Sequence, residues 1–257
     1  MSENTIPLTG GRMANGVVKV ADTVRRPVGP ASPFVARLLA LYEQRGFRGA
    51  PRYLGECDGM DYFSYIPGSV PARFQTWTDA QIAAAGRLLR AMHDASRGSA
   101  LAGRHPVVCH HDPGPNNAVF NNADFREGEP VAFIDFDTAA PGSPLEDLGY
   151  LAWTWCVSSK ASAPTAEVQA AQVRIAVDAY GLAYGERGAV VDAILERQAR
   201  NVRFWTEVRS GRNPTIATDE QIAERIAWSR REHWHTVVNR EVFDAALTTP
   251  DRGRPSS

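Results

Sequence analysis

The sequence predicts an α+β chain with a small β-rich N-terminal lobe followed by a larger, mainly helical C-terminal lobe. Three observations lead there: short β-branched runs separated by turn residues up to Ile66, a Pro67-Gly68 break, and helical periodicity with repeated capping signals from Thr78 onward.

The N-terminal elements follow in order. Gly16-Val17-Val18-Lys19-Val20 and Thr23-Val24-Arg25-Arg26 read as strands joined by an Ala21-Asp22 turn and ended by Pro27. Ser32-Pro33 opens an amphipathic helix through about Gln44, with Ser32 as its capping residue and Gly46 after its end. Asp61 to Ile66 is a strand rich in aromatic and β-branched residues. The lobe boundary is placed after it, giving residues 1–67 and 68–257.

Beyond the boundary, Thr78 and Gln81 have capping-box spacing ahead of an apolar face containing Ile82, Leu89 and Met92. Ser143-Pro144-Leu145-Glu146 repeats that signal. Residues 165–182, 189–209 and 218–247 each carry helical periodicity, and Trp153, Trp155, Trp205, Trp228 and Trp234 are expected to pack the large lobe. The tail from Thr249 to Ser257 is too polar to pack and is expected to fray.

Composition excludes several classes of function. With 28 basic and 29 acidic side chains, the chain has no net field to recruit nucleic acid or a membrane surface. Cys57, Cys109 and Cys156 form no C-x-x-C pair and suit reduced thiols in a cytoplasm. No apolar run approaches the roughly 20 residues that span a bilayer, and no signal peptide is visible. A cytoplasmic monomer or homodimer acting on a small molecule is the expectation.

The chemistry lies between His110 and Asp135. His110-x-Asp112-x4-Asn117 precedes an apolar strand that delivers Asp135. Phosphoryl transfer needs those types of residue: a carboxylate for the attacking hydroxyl, and an Asn with a second Asp for magnesium. Pro113-Gly114-Pro115 forbids a regular helix and allows a loop that gathers Asp112 and Asn117. If the strand continues past Asp135, Asp137 shares its face as an outer or second metal ligand, the other reading being a surface or capping acid. His93 and His105 read as packing residues.

Together, His110-His-Asp-Pro-Gly-Pro-Asn-Asn117, Ile134-Asp-Phe-Asp137, Pro141-Gly-Ser-Pro-Leu-Glu-Asp-Leu148 and Tyr65-Ile-Pro-Gly68 resemble the aminoglycoside phosphotransferase and choline kinase group, whose fold is protein-kinase-like. The resemblance implies Asp112 as catalytic base, and Asn117 and Asp135 as Mg2+ ligands. It also implies the backbone of Ser64, Tyr65 and Ile66 as the purine contact, with ATP or GTP as donor. His110 would hold the catalytic loop, and Asp147 would brace it. The basic residue facing the nucleotide phosphates would be Arg25, with Arg26 and Lys19 as rivals. The helix from Pro33 to Gln44 offers only Glu43 as an ion-pair partner, near its end. Gly10-Gly11-Arg-Met-Ala-Asn15-Gly16 is a candidate phosphate-covering loop.

Two other functions fit parts of this pattern. A metal-dependent His-Asp phosphohydrolase would use His93, His111-Asp112 and Asp135 or Asp147, but its His-Asp pair sits on a helix. A non-catalytic nucleotide-binding protein of the same fold fits the missing helix glutamate. Arg197, Arg200, Arg203, Arg209 and Arg212 form a basic stripe that favours a neutral or anionic hydroxyl acceptor over a polyamine sugar.

Overall fold

A computed structural model describes residues 5–8, 16–72, 75–212, 215 and 217–249. The first lobe is a five-stranded antiparallel sheet in the order β1-β2-β3-β5-β4. Its strands are β1 (Thr5–Pro7), β2 (Val18–Val20), β3 (Thr23–Pro27), β4 (Tyr53–Cys57) and β5 (Met60–Ser64), with helix α1 (Ser32–Gln44) between β3 and β4. The candidate loop from Gly10 to Asn15 lies outside the described residues.

Strands β2 and β3 and helix α1 match the sequence reading, whereas β1 and β4 do not figure in it. The β4–β5 hairpin turns at Asp58-Gly59, both left-handed, with φ of 52° and 73°. A paired Asp-Gly turn of this kind is a hairpin signal that the sequence did carry. Strand β5 stops at Ser64 rather than Ile66.

Helix α1 corrects the assigned cap. Its N-cap is Ala31, which makes no side-chain capping bond. The Ser32 hydroxyl accepts the Gly29 N–H and donates to the Asp61 carboxylate on β5. Ser32 therefore ties helix to sheet instead of closing the helix end.

After β5 the chain passes Gly68 at φ 145°, where an added Cβ would lie 2.0 Å from the Phe120 carbonyl oxygen. Only glycine permits that approach. Helix α2 (Asp79–Ser96) starts with the expected box: Gln81 N–H donates to Thr78 Oγ1, and Thr78 N–H to Gln81 Oε1. Two short ribbons follow, β6 (Val107–Cys109) with β9 (Ala140–Gly142), and β7 (Ala118–Phe120) with β8 (Pro130–Phe133). Helices α3 (Pro144–Cys156), α4 (Ala166–Tyr180), α5 (Val190–Arg209), α6 (Asp219–Val238) and α7 (Arg240–Thr248) complete the lobe. The segment predicted as one helix over 218–247 is two, broken at Asn239.

One apolar core joins sheet and helices. Leu38, Leu39 and Tyr42 of α1 are buried with Leu89 and Met92 of α2 and Leu148 and Leu151 of α3. Tyr42 meets Phe136 edge-on at 5.9 Å, so α1 packs directly beside the segment that carries Asp135. Trp153, Trp155 and Trp205 are buried as expected, and Trp228 stacks on Trp153 at 5.0 Å. Trp234 does not fit the expectation, because it is 67% exposed on the outer face of α6. Among the described residues, no helix is long and apolar enough to cross a membrane.

Candidate active site

Strand β6 leads into His110-His111-Asp112, and the loop is fixed mainly by one buried carboxylate. Asp147, in the first turn of α3, accepts the backbone N–H of His110 at 2.6 Å and of His111 at 2.7 Å. His93 of α2 donates from Nε2 to the same carboxylate at 3.0 Å, while its Nδ1 faces the Tyr180 hydroxyl at 2.9 Å. Burial pushes the Asp147 carboxyl up, but the hydrogen bond and charge of His93, then His111 and His110, outweigh it and hold the group at about 2. A fully buried acid is tolerated here because each oxygen is engaged by donors.

The second support is His110 itself, buried, with Nε2 3.0 Å from the Ile134 carbonyl oxygen and Nδ1 accepting the Asp112 N–H at 3.3 Å. It joins the loop that carries Asp112 to the β8 exit. From α5, Arg197 donates to the His111 carbonyl and stacks over Tyr150 at 5.0 Å. Trp155 Nε1–H donates to the Pro113 carbonyl at 3.1 Å. Neither support was read from the sequence, since both are long-range and lie in ordinary helical patterns.

After Pro113-Gly114 the chain makes a 3₁₀ turn at Pro115–Asn117. The turn folds Asn117 back, so that Nδ2 donates to Asp112 Oδ2 at 2.9 Å and to the Asp112 carbonyl at 3.0 Å. Asp112 Oδ1 makes no hydrogen bond within the protein. The proline-glycine loop thus brings the two residues together as the spacing predicts.

The Asp135 region differs from the sequence reading. Strand β8 ends at Phe133, and Asp135 takes a left-handed conformation, φ 65° and ψ 65°, before a 3₁₀ turn at Phe136–Thr138. Strand alternation therefore does not place Asp137, whose carboxylate instead pairs with Arg26 Nη1 of β3 at 2.5 Å. Asp135 is an exposed residue with Asp137 and Asp112 as charged neighbours. Its carboxyl is held above the usual range, first by lost solvation, then by repulsion from Asp137 and Asp112, with His110 and Arg26 opposing. Three carboxylates crowd one end of the cleft.

Arg25 and Arg26 point to opposite faces of β3, as successive strand residues must. The Arg25 guanidinium lies over the Tyr62 ring at 5.0 Å and reaches Thr23 Oγ1 at 3.4 Å. Arg26 faces the carboxylates, with Nε 3.6 Å from Asp61 and Nη1 on Asp137. Asp61 is 1% exposed and also accepts from Ser32 and, at 3.2 Å, from the Tyr53 hydroxyl. The acid that pairs with the strand arginine thus comes from β5. Glu43 lies 3.8 Å from Arg52 at the surface. Lys19 Nζ sits over the Tyr65 ring at 3.7 Å.

At the strand exit after β5, Ser64 N–H donates to the Arg52 carbonyl and Tyr65 N–H to the Asp22 carbonyl. Those two donors are engaged within the sheet. His105 is a surface residue away from the site. Within the arginine stripe, Arg197 is turned inward onto the His111 carbonyl, Arg200 pairs with Glu146 at 3.2 Å and Arg203 with Glu196 at 2.7 Å.

Comparison with known proteins agrees with this geometry. Residues 97–188, which contain the loop, Asp135 and α3, match the phosphotransferase enzyme family. A trifolitoxin immunity protein of Rhizobium leguminosarum bv. trifolii is 27% identical over 268 residues, covering 94% of this chain and 98% of the relative. A choline/ethanolamine kinase family protein from Mesorhizobium loti superposes with a TM-score of 0.59 at 19% identity, over 94% of both chains. A spectinomycin phosphotransferase, solved with ADP and spectinomycin, gives 0.60 at 12% identity over 93% of both. The two-lobed fold is kinase-like, and residues 97–188 are similar to the phosphotransferase enzyme family.

Proposed function

We propose that this chain, a small-molecule phosphotransferase of kinase-like fold, moves the γ-phosphate of ATP or GTP to a hydroxyl group of its acceptor, with Asp112 as the base. The observation that carries the reading is the Asn117 side chain seated on Asp112 Oδ2, with Asp135 close enough for the two carboxylates to repel.

The acceptor hydroxyl is assigned to Asp112 Oδ1, the oxygen left without a protein partner. Asn117 Nδ2–H holds the other oxygen, so the carboxylate cannot rotate away while it orients the hydroxyl and takes its proton. Asp147 and His110 keep the loop backbone in place throughout.

Asn117 Oδ1 and the Asp135 carboxylate are the hard oxygen donors that suit Mg2+, and the crowding of Asp112, Asp135 and Asp137 favours a bound divalent cation. When bound, Mg2+ neutralises charge on the transferring phosphates. Arg26 replaces Arg25 as the proposed phosphate contact, because it is the one turned toward the carboxylate end. An arginine presents a planar fork of donors to phosphate oxygens. With Ser64 and Tyr65 N–H already engaged, the purine contact is assigned to the Ser64 to Ile66 backbone with Ile66 supplying the donor.

The relative named for trifolitoxin immunity favours a toxic compound as acceptor, and the pairing of Arg200 and Arg203 with acids weakens the basic-stripe argument for an anionic one. The first test is the thermal midpoint with ATP or GTP, each with and without Mg2+, for wild type and Asp135→Asn. A ligand at about 100 times its dissociation constant stabilises the native state by about 2.7 kcal/mol. A Mg2+-dependent rise with one nucleotide, lost in the variant, supports the reading and identifies the donor. No rise with either nucleotide refutes it. A panel of hydroxyl compounds, toxins among them, then identifies the acceptor by phosphate incorporation.

A further inference from the structure

Between the catalytic loop and the start of α3, three side chains of different chemistry converge on a glycine. Cys109 Sγ, His111 Nε2 and a carboxylate oxygen of Glu146 all lie within 4.8 Å of one another. A Cβ built on Gly142 would sit 2.8 Å from Glu146 Oε1, 2.9 Å from Cys109 Sγ and 3.4 Å from His111 Nε2. The missing side chain of residue 142 therefore leaves a nook onto which a thiol, an imidazole and a carboxylate all open.

Each ligand is prepared in a way that packing alone does not require. The His111 ring has its Nδ1 3.1 Å from the Thr138 carbonyl oxygen, which fixes the proton there and leaves the Nε2 lone pair facing the nook. Nε2 is buried and makes no hydrogen bond, although Glu146 Oε2 is 3.3 Å away. Metal-bound histidines are commonly oriented in this way, by a backbone carbonyl on the far nitrogen. His111 is also held at φ 65°, a conformation that costs a non-glycine residue energy. Glu146 is fixed from behind by the Ser143 N–H at 3.1 Å and shared with Arg200 at 3.2 Å.

We propose that Cys109, His111 and Glu146 form a site for a thiophilic divalent cation such as Zn2+, separate from the magnesium position. A sulfur, nitrogen and oxygen donor set with a fourth position left to water suits zinc rather than magnesium. Metal–ligand distances of about 2.0–2.3 Å require the three side chains to draw in from their present separations of up to 4.8 Å. On binding, Cys109 gives up its thiol proton to solvent and its hydrogen bond to the Ser143 carbonyl. His111 keeps its Nδ1 proton on Thr138, and Arg200 yields one carboxylate oxygen. The bound cation ties the residue before Asp112 to the first turn of α3, so it stiffens the catalytic loop.

The test is a titration of the full chain with Co2+ alone, read by thiolate-to-metal charge-transfer absorption, followed by competition with Zn2+. The expected result is one equivalent of tetrahedral cobalt with a thiolate band, displaced by Zn2+ but not by excess Mg2+. The band should vanish in Cys109→Ser and survive in Cys57→Ser, whose thiol is exposed and remote. Glu146→Gln, a milder change on a half-exposed residue, should weaken cobalt binding at least about tenfold and keep a cooperative melt. Absence of the band in wild type, persistence in Cys109→Ser, or unchanged affinity in Glu146→Gln would each overturn the proposal.

Discussion

Replacing Asp147 with asparagine should separate the support of the catalytic loop from its chemistry. The carboxylate accepts three hydrogen bonds, from His93, His110 N–H and His111 N–H, and is fully buried. An amide keeps one acceptor oxygen and turns an NH2 group toward the remaining donors. His93 can shift its proton to Nδ1, but the backbone N–H groups of His110 and His111, which sit on different oxygens, cannot, so one of them is left unsatisfied at a cost of about 1–3 kcal/mol. The carboxyl sits at about 2 against an ordinary value of 3.8, which adds about 2–3 kcal/mol of lost stabilisation near neutral pH. The sum is about 3–6 kcal/mol. For a chain this long, about 2 °C per kcal/mol converts that to about 6–12 °C in midpoint.

Urea unfolding is the assay, with a lower midpoint concentration at unchanged slope as the expected outcome. The pH dependence gives an internal check. Because folding depresses this pKa, its contribution is complete above the unfolded value of about 3.9 and disappears as pH falls through the folded value of about 2. The gap between wild type and variant should accordingly narrow between about pH 4 and pH 2. A loss below about 1 kcal/mol at pH 7, or a gap indifferent to acid, would refute the role given to Asp147.

Four further outcomes are expected. Asp112→Asn should lower kcat by about 10²–10⁴ while keeping the nucleotide-induced rise in midpoint, and a near-normal kcat would remove Asp112 as base. Asp135→Asn should stabilise the nucleotide-free protein at neutral pH, because its raised carboxyl is penalised when ionised and asparagine suits the left-handed backbone, yet abolish the Mg2+-nucleotide shift; a lower midpoint without ligand would contradict the crowding. Arg26→Ala should weaken nucleotide binding and cost roughly 2–3 kcal/mol by stranding Asp61, whereas Arg25→Ala should leave both near wild type, and equal effects would undo the choice between them. Gly68→Ala forces a Cβ against the Phe120 carbonyl and should destabilise by at least about 2 kcal/mol in a thermal melt, a neutral effect being incompatible with that contact.

The order of the lobes, the capped starts of α2 and α3, and the pairing of Asp112 with Asn117 across a proline-glycine loop were legible in the sequence. Each rests on local spacing: a capping box within four residues, or a loop too short to separate its ends. Arg26 rather than Arg25, the partner acid Asp61, the left-handed turn at Asp135 and the inward-facing Arg197 needed the tertiary structure. Their partners are distant in the chain or depend on strand register, and a one-residue difference in register decides which arginine enters the cleft. Local propensity sets where elements begin and end. Which side chains then face one another across the cleft is fixed by how sheet, helix and loop pack together.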